Sequence, residues 1–97
     1  TPEYNHSIPG TMKNAFDSLF GEWAGKPVAF AGYGPGGAIR GVEAWRSIVV
    51  NFSMPQLRNQ LDFGFFTDWT EGEFRPVDAK VERTNSLLAE LEDAVSA

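Results

Sequence analysis

The chain opens Thr1-Pro2-Glu3-Tyr4-Asn5-His6-Ser7-Ile8-Pro9-Gly10-Thr11-Met12-Lys13-Asn14-Ala15. Two prolines, a glycine and short polar side chains mark Thr1 to Gly10 as a loop. Beyond it Met12, Ala15, Phe16, Leu19, Phe20 and Trp23 recur at three- and four-residue steps, the signature of a helix with one apolar face. The pattern predicts a helix over about Pro9 to Trp23. Ser7 or Ile8 takes the cap position, and Pro9 lies in the first turn, where no N–H is needed. A loop feeding a helix N-terminus gathers unpaired backbone N–H groups and a partial positive charge, which suits polar or anionic ligand edges.

Working outward, Ala24-Gly25-Lys26-Pro27 reads as a turn. Val28-Ala29-Phe30-Ala31 is a continuous apolar run, as expected of a strand covered on both faces. A glycine-rich loop, Gly32-Tyr33-Gly34-Pro35-Gly36-Gly37, leads into a second helix with an apolar line of Ala38, Val42, Trp45, Val49 and Phe52. Ile39 and Ile48 widen that face, while Arg40, Glu43 and Arg46 point to solvent or a partner subunit. Met54-Pro55 ends the element. Gln56 to Asp62, carrying Leu57 and Leu61, reads as a strand that Phe63-Gly64-Phe65-Phe66 either continues or follows as a packed loop. The acidic run from Asp68 to Glu73 reads as a solvated turn. A last helix follows on Val77, Val81, Thr84, Leu88, Leu91 and Val95, broadened by Leu87 and Ala94, with Asp78 at its positive end. Helices alternating with strands argue for an α/β fold with a parallel sheet and right-handed crossovers.

The 97 residues are 42% hydrophobic and 13% aromatic, a globular composition, and the net charge of −5 disfavours nucleic acid or an anionic membrane as partner. No run approaches the roughly 18 apolar residues of a membrane span. Without cysteine there is no disulfide framework and no thiolate metal site, which fits a reducing, cytoplasmic compartment. One histidine without clustered carboxylates makes no transition-metal site. Asn5-His6-Ser7 and Asn51-Phe52-Ser53 match the glycosylation triplet, which is common by chance.

The stretch from Thr1 to Ala15 closely resembles NAD(P)H-dependent FMN reductases of the flavodoxin-like fold, a family that includes flavin, quinone, azo and chromate reductases. In that family the loop follows the third strand, so the resemblance implies the C-terminal half of a sheet of order 2-1-3-4-5 with helices on both faces. Strands 4 and 5 and helices 3 to 5 are then present, and the N-terminal half is a missing partner. The implied cofactors are FMN and NAD(P)H, with hydride passed by ping-pong turnover to a small-molecule electron acceptor such as a flavin or quinone. Dimers or tetramers are the implied assembly, and Phe20, Trp23 and Trp45 serve either its interface or the core.

By the same resemblance, Pro2, Glu3, Tyr4, Asn5 and Ser7 form one flavin-binding loop, and Tyr33, Gly34, Gly36 and Gly37 form the second. Glycines there let the backbone approach a planar ring that any side chain would hold off. Arg40 follows the second loop, where it could meet an NADPH phosphate or another subunit's carboxylate. No catalytic side chain is assigned, because in such enzymes the cofactor carries the redox chemistry. The family's phosphate-binding loop is absent from residues 1–97, so this segment alone is expected to bind FMN weakly.

Two other readings compete. Gly32, Gly34 and Gly37 also stand in the G-x-G-x-x-G register of a dinucleotide fold, but the acidic residue expected about 20 positions on is late at Asp62, and Pro35 removes a donor. The second is a non-catalytic module that pairs another polypeptide through an open sheet edge. His6 reads as a solvated loop residue and Trp45 as core. Trp69 and Phe74 read equally as packing anchors or substrate walls.

Overall fold

The computed structural model describes residues 1–97. Its centre is the apolar run at Val28, which extends through the first glycines to form β1, Val28–Gly34. Beside it lies β2, Gln56–Gly64, parallel, with Phe30 opposite Gln60, Ala31 opposite Leu61 and Gly34 opposite Gly64. The register slips between Val28 and Phe30. On the other edge of β1 the Thr1 amine donates to Ala31 O at 2.6 Å, and Tyr33 N–H donates to Thr1 O at 3.1 Å. These two bonds form a rung of a parallel ladder, so β1 is flanked on both sides at its C-terminal end.

The glycine-rich segment therefore divides: Gly32 to Gly34 is strand, and only Pro35 to Ala38 turns. Gly32 serves packing, since a Cβ there would come within 2.7 Å of Gly37 O and 2.9 Å of Ala38 Cβ. The second helix, α2, spans Ile39–Val49, with Ala38 in a left-handed conformation at its N-cap. Val42, Trp45 and Val49 pack with Phe30 and Met54 into the buried core, as the apolar line predicts. Ile39 departs from that line and is exposed. Met54 does more than end the element: after a 3-10 turn at Val50–Phe52 it folds back into the core.

Arg46 does not reach for solvent or a partner. Its guanidinium donates to Gln56 Oε1, Leu57 O, Arg58 O and Gln60 Oε1 at 3.0–3.3 Å and lies 4.8 Å from the Phe30 ring centroid. It clamps α2 onto β2 beside the register slip.

The first helix, α1, is shorter than its apolar spacing predicts, running Gly10–Asp17, with Pro9 rather than Ser7 or Ile8 at the N-cap. The stacking of Phe16 on Trp23 shows why. Their centroids lie 4.8 Å apart and Trp23 Nε1 donates to Phe16 O, whereas seven residues of continuous α-helix would separate them by about 10 Å. The chain closes that gap by tight three-residue turns, including Leu19 N–H to Phe16 O and Trp23 N–H to Phe20 O.

The last helix, α3, spans Asp78–Ser96 and packs on β2. It is rotated from the predicted stripe: Leu87 is buried, while Val81, Leu88 and Val95 are exposed. Polar pins set the rotation. Lys80 Nζ donates to Asp62 O, Arg83 donates to Gln60 O at 2.9 Å, and Asn59 Nδ2 donates to Glu90 at 2.9 Å. Arg46 of α2 meets Gln60, and Leu61 is the next residue along β2, so the two helices lie on opposite faces of the sheet.

The acidic run is a small hairpin, β3 Trp69–Thr70 and β4 Glu73–Phe74. Trp69 and Phe74 pack against each other at 4.8 Å. Asp68 is fully buried, contrary to the expectation of a solvated stretch.

Candidate functional site

Tyr4 and Ser7 exchange two backbone hydrogen bonds, 3.0 and 3.1 Å, around the pair Asn5-His6. Both central residues are left-handed, with φ of 51° and 66°, as a two-residue type I′ turn requires. Asn suits that conformation, which is why the sequence closes here. Tyr4, Asn5, His6 and Ser7 are exposed, whereas Pro2 and Glu3 are half-buried beneath them.

The second turn closes through Gly37 N–H to Gly34 O at 3.1 Å. Gly37 has φ of 77°, and a Cβ there would lie 2.8 Å from Asp62 Cβ. Gly36, in contrast, has open space on every side and no left-handed φ. Nothing within the fold requires glycine at position 36.

The two turns stand together. Glu3 Oε1 accepts from Gly41 N–H at 2.8 Å, and its other oxygen lies 3.6 Å from Arg40 Nη1. A Cβ on Gly41 would sit 3.3 Å from Glu3 Cβ and from Ser7 O. Trp45 Nε1 donates to Thr1 Oγ1 at 3.1 Å, so this core residue also anchors the first loop. Pro2, Glu3, Tyr4, Asn5 and Ser7 are thus brought beside Tyr33, Gly34, Gly36 and Gly37 at the C-terminal end of β1. The backbone N–H groups of Asn5, His6, Gly36 and Ala38 make no hydrogen bond within the chain. Phe65 N–H donates to Gly34 O at 3.0 Å, which sets the end of β2 against the second turn.

Asp68 is the residue that sequence reasoning missed. Its carboxylate accepts from Gly64 N–H at 3.0 Å, Thr67 Oγ1 at 3.0 Å, Val77 N–H at 3.1 Å and Lys80 Nζ at 3.2 Å. Burial pushes its pKa up, but the hydrogen bonds from Val77, Gly64, Lys80 and Thr67 outweigh that and hold it below the ordinary value. The Val77 bond also serves the start of α3, nine residues away in sequence, and no local motif has that spacing.

The dinucleotide reading loses its parts. Gly32 packs against the following turn, the positive end of α2 is already met by the Glu3 carboxylate, and Asp62 pairs with Lys80 and Arg83.

Along the open part of the β1 edge runs an apolar groove of about 620 Å³ walled by Met12, Phe16, Trp23, Val28 and Phe30. No group of three or more His, Asp or Glu side chains is placed to hold a metal ion.

An open parallel sheet with backbone-rich turns gathered beyond the carboxyl end of its strands defines an α/β protein that takes a flat or nucleotide-like ligand there. The profile of the family described as NADPH-dependent FMN reductase matches residues 1–68. The chain belongs to that family. An NAD(P)H-dependent FMN reductase, ntnL, of Nectria sp is 56% identical over 39 residues, covering 40% of this chain and 19% of its own length. An NAD(P)H-dependent FMN reductase of Saccharomyces cerevisiae is 50% identical over 34 residues, 35% of this chain and 18% of its own. A quinone reductase of Pseudomonas putida is 42% identical over 62 residues, 57% of this chain and 33% of its own. The chain thus matches between about a fifth and a third of the length of these relatives.

Proposed function

We propose that residues 1–97 are the ring-gripping half of an NAD(P)H-dependent FMN reductase whose substrate is a small planar acceptor of the quinone or flavin class. The observation that carries the reading is the joining of the two turns across the Glu3–Gly41 hydrogen bond. Free N–H groups of Asn5, His6 and Gly36 converge there, with no side chain at Gly36 to hold a planar ring away. FMN fits this donor set: its ring edge carries acceptors, and when bound it supplies the two-electron chemistry between nicotinamide and acceptor. In this reading Pro2, Glu3, Tyr4, Asn5 and Ser7 shape the first wall, and Tyr33, Gly34, Gly36 and Gly37 the second. Arg40 is largely exposed beside Glu3 and retains donors for an NADPH phosphate or for another subunit in a dimer or tetramer. The quinone reductases among the relatives favour the acceptor class. No helix is long and apolar enough to cross a membrane, and a cytoplasmic enzyme is the reading we adopt.

The rung at Thr1 and the apolar groove support a further part of the proposal. The domain is completed by upstream chain that runs parallel to β1 and covers Phe16, Trp23 and Val28. Anaerobic absorbance of the complete protein with FMN tests the activity. Bands that bleach on NAD(P)H and return on a benzoquinone are expected, and a complete protein that leaves FMN unperturbed refutes it. Residues 1–97 alone should quench FMN only weakly, and sub-micromolar binding would contradict the need for completion. The same open edge favours, as a second reading, a non-catalytic module. Recruitment of another chain to that edge by a complete protein that does not bind FMN would select it.

A further inference from the structure

We propose that Asp68 and Lys80 are positioning residues for the flavin-gripping turn, setting through Asp62 and Gly64 where the Gly36-Gly37 peptide stands. The inference rests on the flavin reading above and extends it to residues far from the two turns in sequence.

Two routes lead from the buried carboxylate of Asp68 to that turn. In the first, Lys80 Nζ bridges Asp68 Oδ2 at 3.2 Å to Asp62, donating to its backbone O and lying 3.7 Å from its Oδ2. Asp62 in turn is the seat of Gly37: a Cβ on Gly37 would lie 2.8 Å from Asp62 Cβ and 3.4 Å from Oδ2. In the second, Gly64 N–H is held by Asp68 at 3.0 Å, Gly64 pairs with Gly34 across the sheet, and Phe65 N–H donates to Gly34 O. Both supports meet the turn from the side away from the free N–H groups.

Attachment of α3 alone does not explain this network. The helix is already tied to β2 by Arg83 on Gln60 O and by Asn59 on Glu90. A buried ion pair contributes little net stability compared with apolar packing of the same volume, and its attested use is to fix one arrangement among several. Here the arrangement fixed is the height of the glycine turn over the end of the sheet. Every buried polar side-chain atom finds a partner, so a neutral or shorter side chain at either position leaves the others to rearrange.

The test uses the complete protein with Lys80→Met, Lys80→Arg and Asp68→Asn, and with Asn59→Ala as a control that loosens α3 away from the turn. FMN dissociation constants are measured by fluorescence well below the melting temperature, and amide hydrogen exchange of residues 33–38 is followed without FMN. Lys80→Met should weaken FMN by about 10- to 100-fold, the cost of misplacing a contact by about 1 Å, and should speed exchange at the turn. Lys80→Arg should restore most of the affinity. Asn59→Ala should lower the melting temperature with FMN affinity unchanged. Unchanged affinity and unchanged exchange in Lys80→Met overturn the proposal even if that variant melts earlier. Should the wild-type protein ignore FMN, the flavin reading falls on that result alone. The exchange comparison then still decides whether the network positions the turn, and faster exchange in Lys80→Met supports it. Asp68→Asn failing to fold decides nothing against Lys80→Met, which keeps the backbone bonds to Gly64 and Val77.

Discussion

Gly36 and Gly37 are neighbours that should fail in different ways when given a methyl group. At Gly36 the added Cβ meets nothing within 4 Å, and the backbone is outside the left-handed region. Gly36→Ala should therefore leave the complete protein as stable as before or more so by about 0.4–1 kcal/mol, through the stiffer unfolded chain. If the turn grips a ring, the same methyl stands between ring and N–H groups. Loss of one or two hydrogen bonds at about 0.5–1.5 kcal/mol each amounts to about 1–3 kcal/mol. That is a dissociation constant weaker by roughly 5- to 100-fold. At Gly37 the methyl needs φ of 77° and meets Asp62 Cβ at 2.8 Å. Left-handed backbone costs about 1–2 kcal/mol and overpacking about 1–3 kcal/mol, so Gly37→Ala should destabilise by about 2–5 kcal/mol. Urea unfolding and FMN fluorescence titration on both variants separate the two effects. An unchanged FMN dissociation constant in a stable Gly36→Ala protein would refute the reasoning, because nothing else at that position distinguishes glycine from alanine.

Arg46→Met removes donors to Gln56, Gln60 and two strand carbonyls and should cost about 2–4 kcal/mol, read as a lower urea midpoint; a shift below about 0.5 kcal/mol would show the clamp to be idle. Glu3→Gln keeps an acceptor for Gly41 N–H but loses the charge on the positive end of α2, about 0.3–1 kcal/mol in thermal melts. Glu3→Ala, which leaves that N–H unmet, should cost more, and equal melts would sink the capping role. The depressed pKa of Asp68 gives a pH signature: its contribution to stability is full above the unfolded value of 3.8 and is lost as pH falls through it toward the lower folded value. Urea midpoints should therefore drop below about pH 4 less steeply in Asp68→Asn than in the wild type, and parallel profiles would contradict the assignment.

The apolar period found α2 because one face of that helix does one job. Val42, Trp45 and Val49 all meet the β1 side of the core. It misplaced α3 because two rows of that helix are apolar. The sequence row through Val81, Leu88 and Val95 is the more regular, yet Lys80, Arg83 and Glu90 bond to β2 or its neighbours and turn Leu87 inward instead. Three polar bonds to fixed strand atoms have directions, whereas apolar contacts do not. In α1 the period was real but overrun: Phe16 and Trp23 belong to one cluster because the helix between them stops.

The site divides along the same line. Turn chemistry is local, so Asn5-His6 and Gly36-Gly37 could be recognised from two to four residues each. Their joining is not local. Glu3 reaches Gly41, Thr1 reaches Trp45, and Asp68 reaches Val77 and Lys80, each over a separation set by the fold rather than by a helical or strand period. A lone acidic residue in an acidic stretch looks like solvated surface because most such residues are. What distinguishes Asp68 is that four donors from Gly64, Thr67, Val77 and Lys80 converge on it, and these become neighbours only once β2, the hairpin and α3 are in place. Wherever a carboxylate is held by donors from several elements, replacing it should perturb all of them at once. That is why Asp68, outside both recognised turns, is the position where stability and ligand affinity should prove hardest to separate, and Lys80 the position where they should come apart.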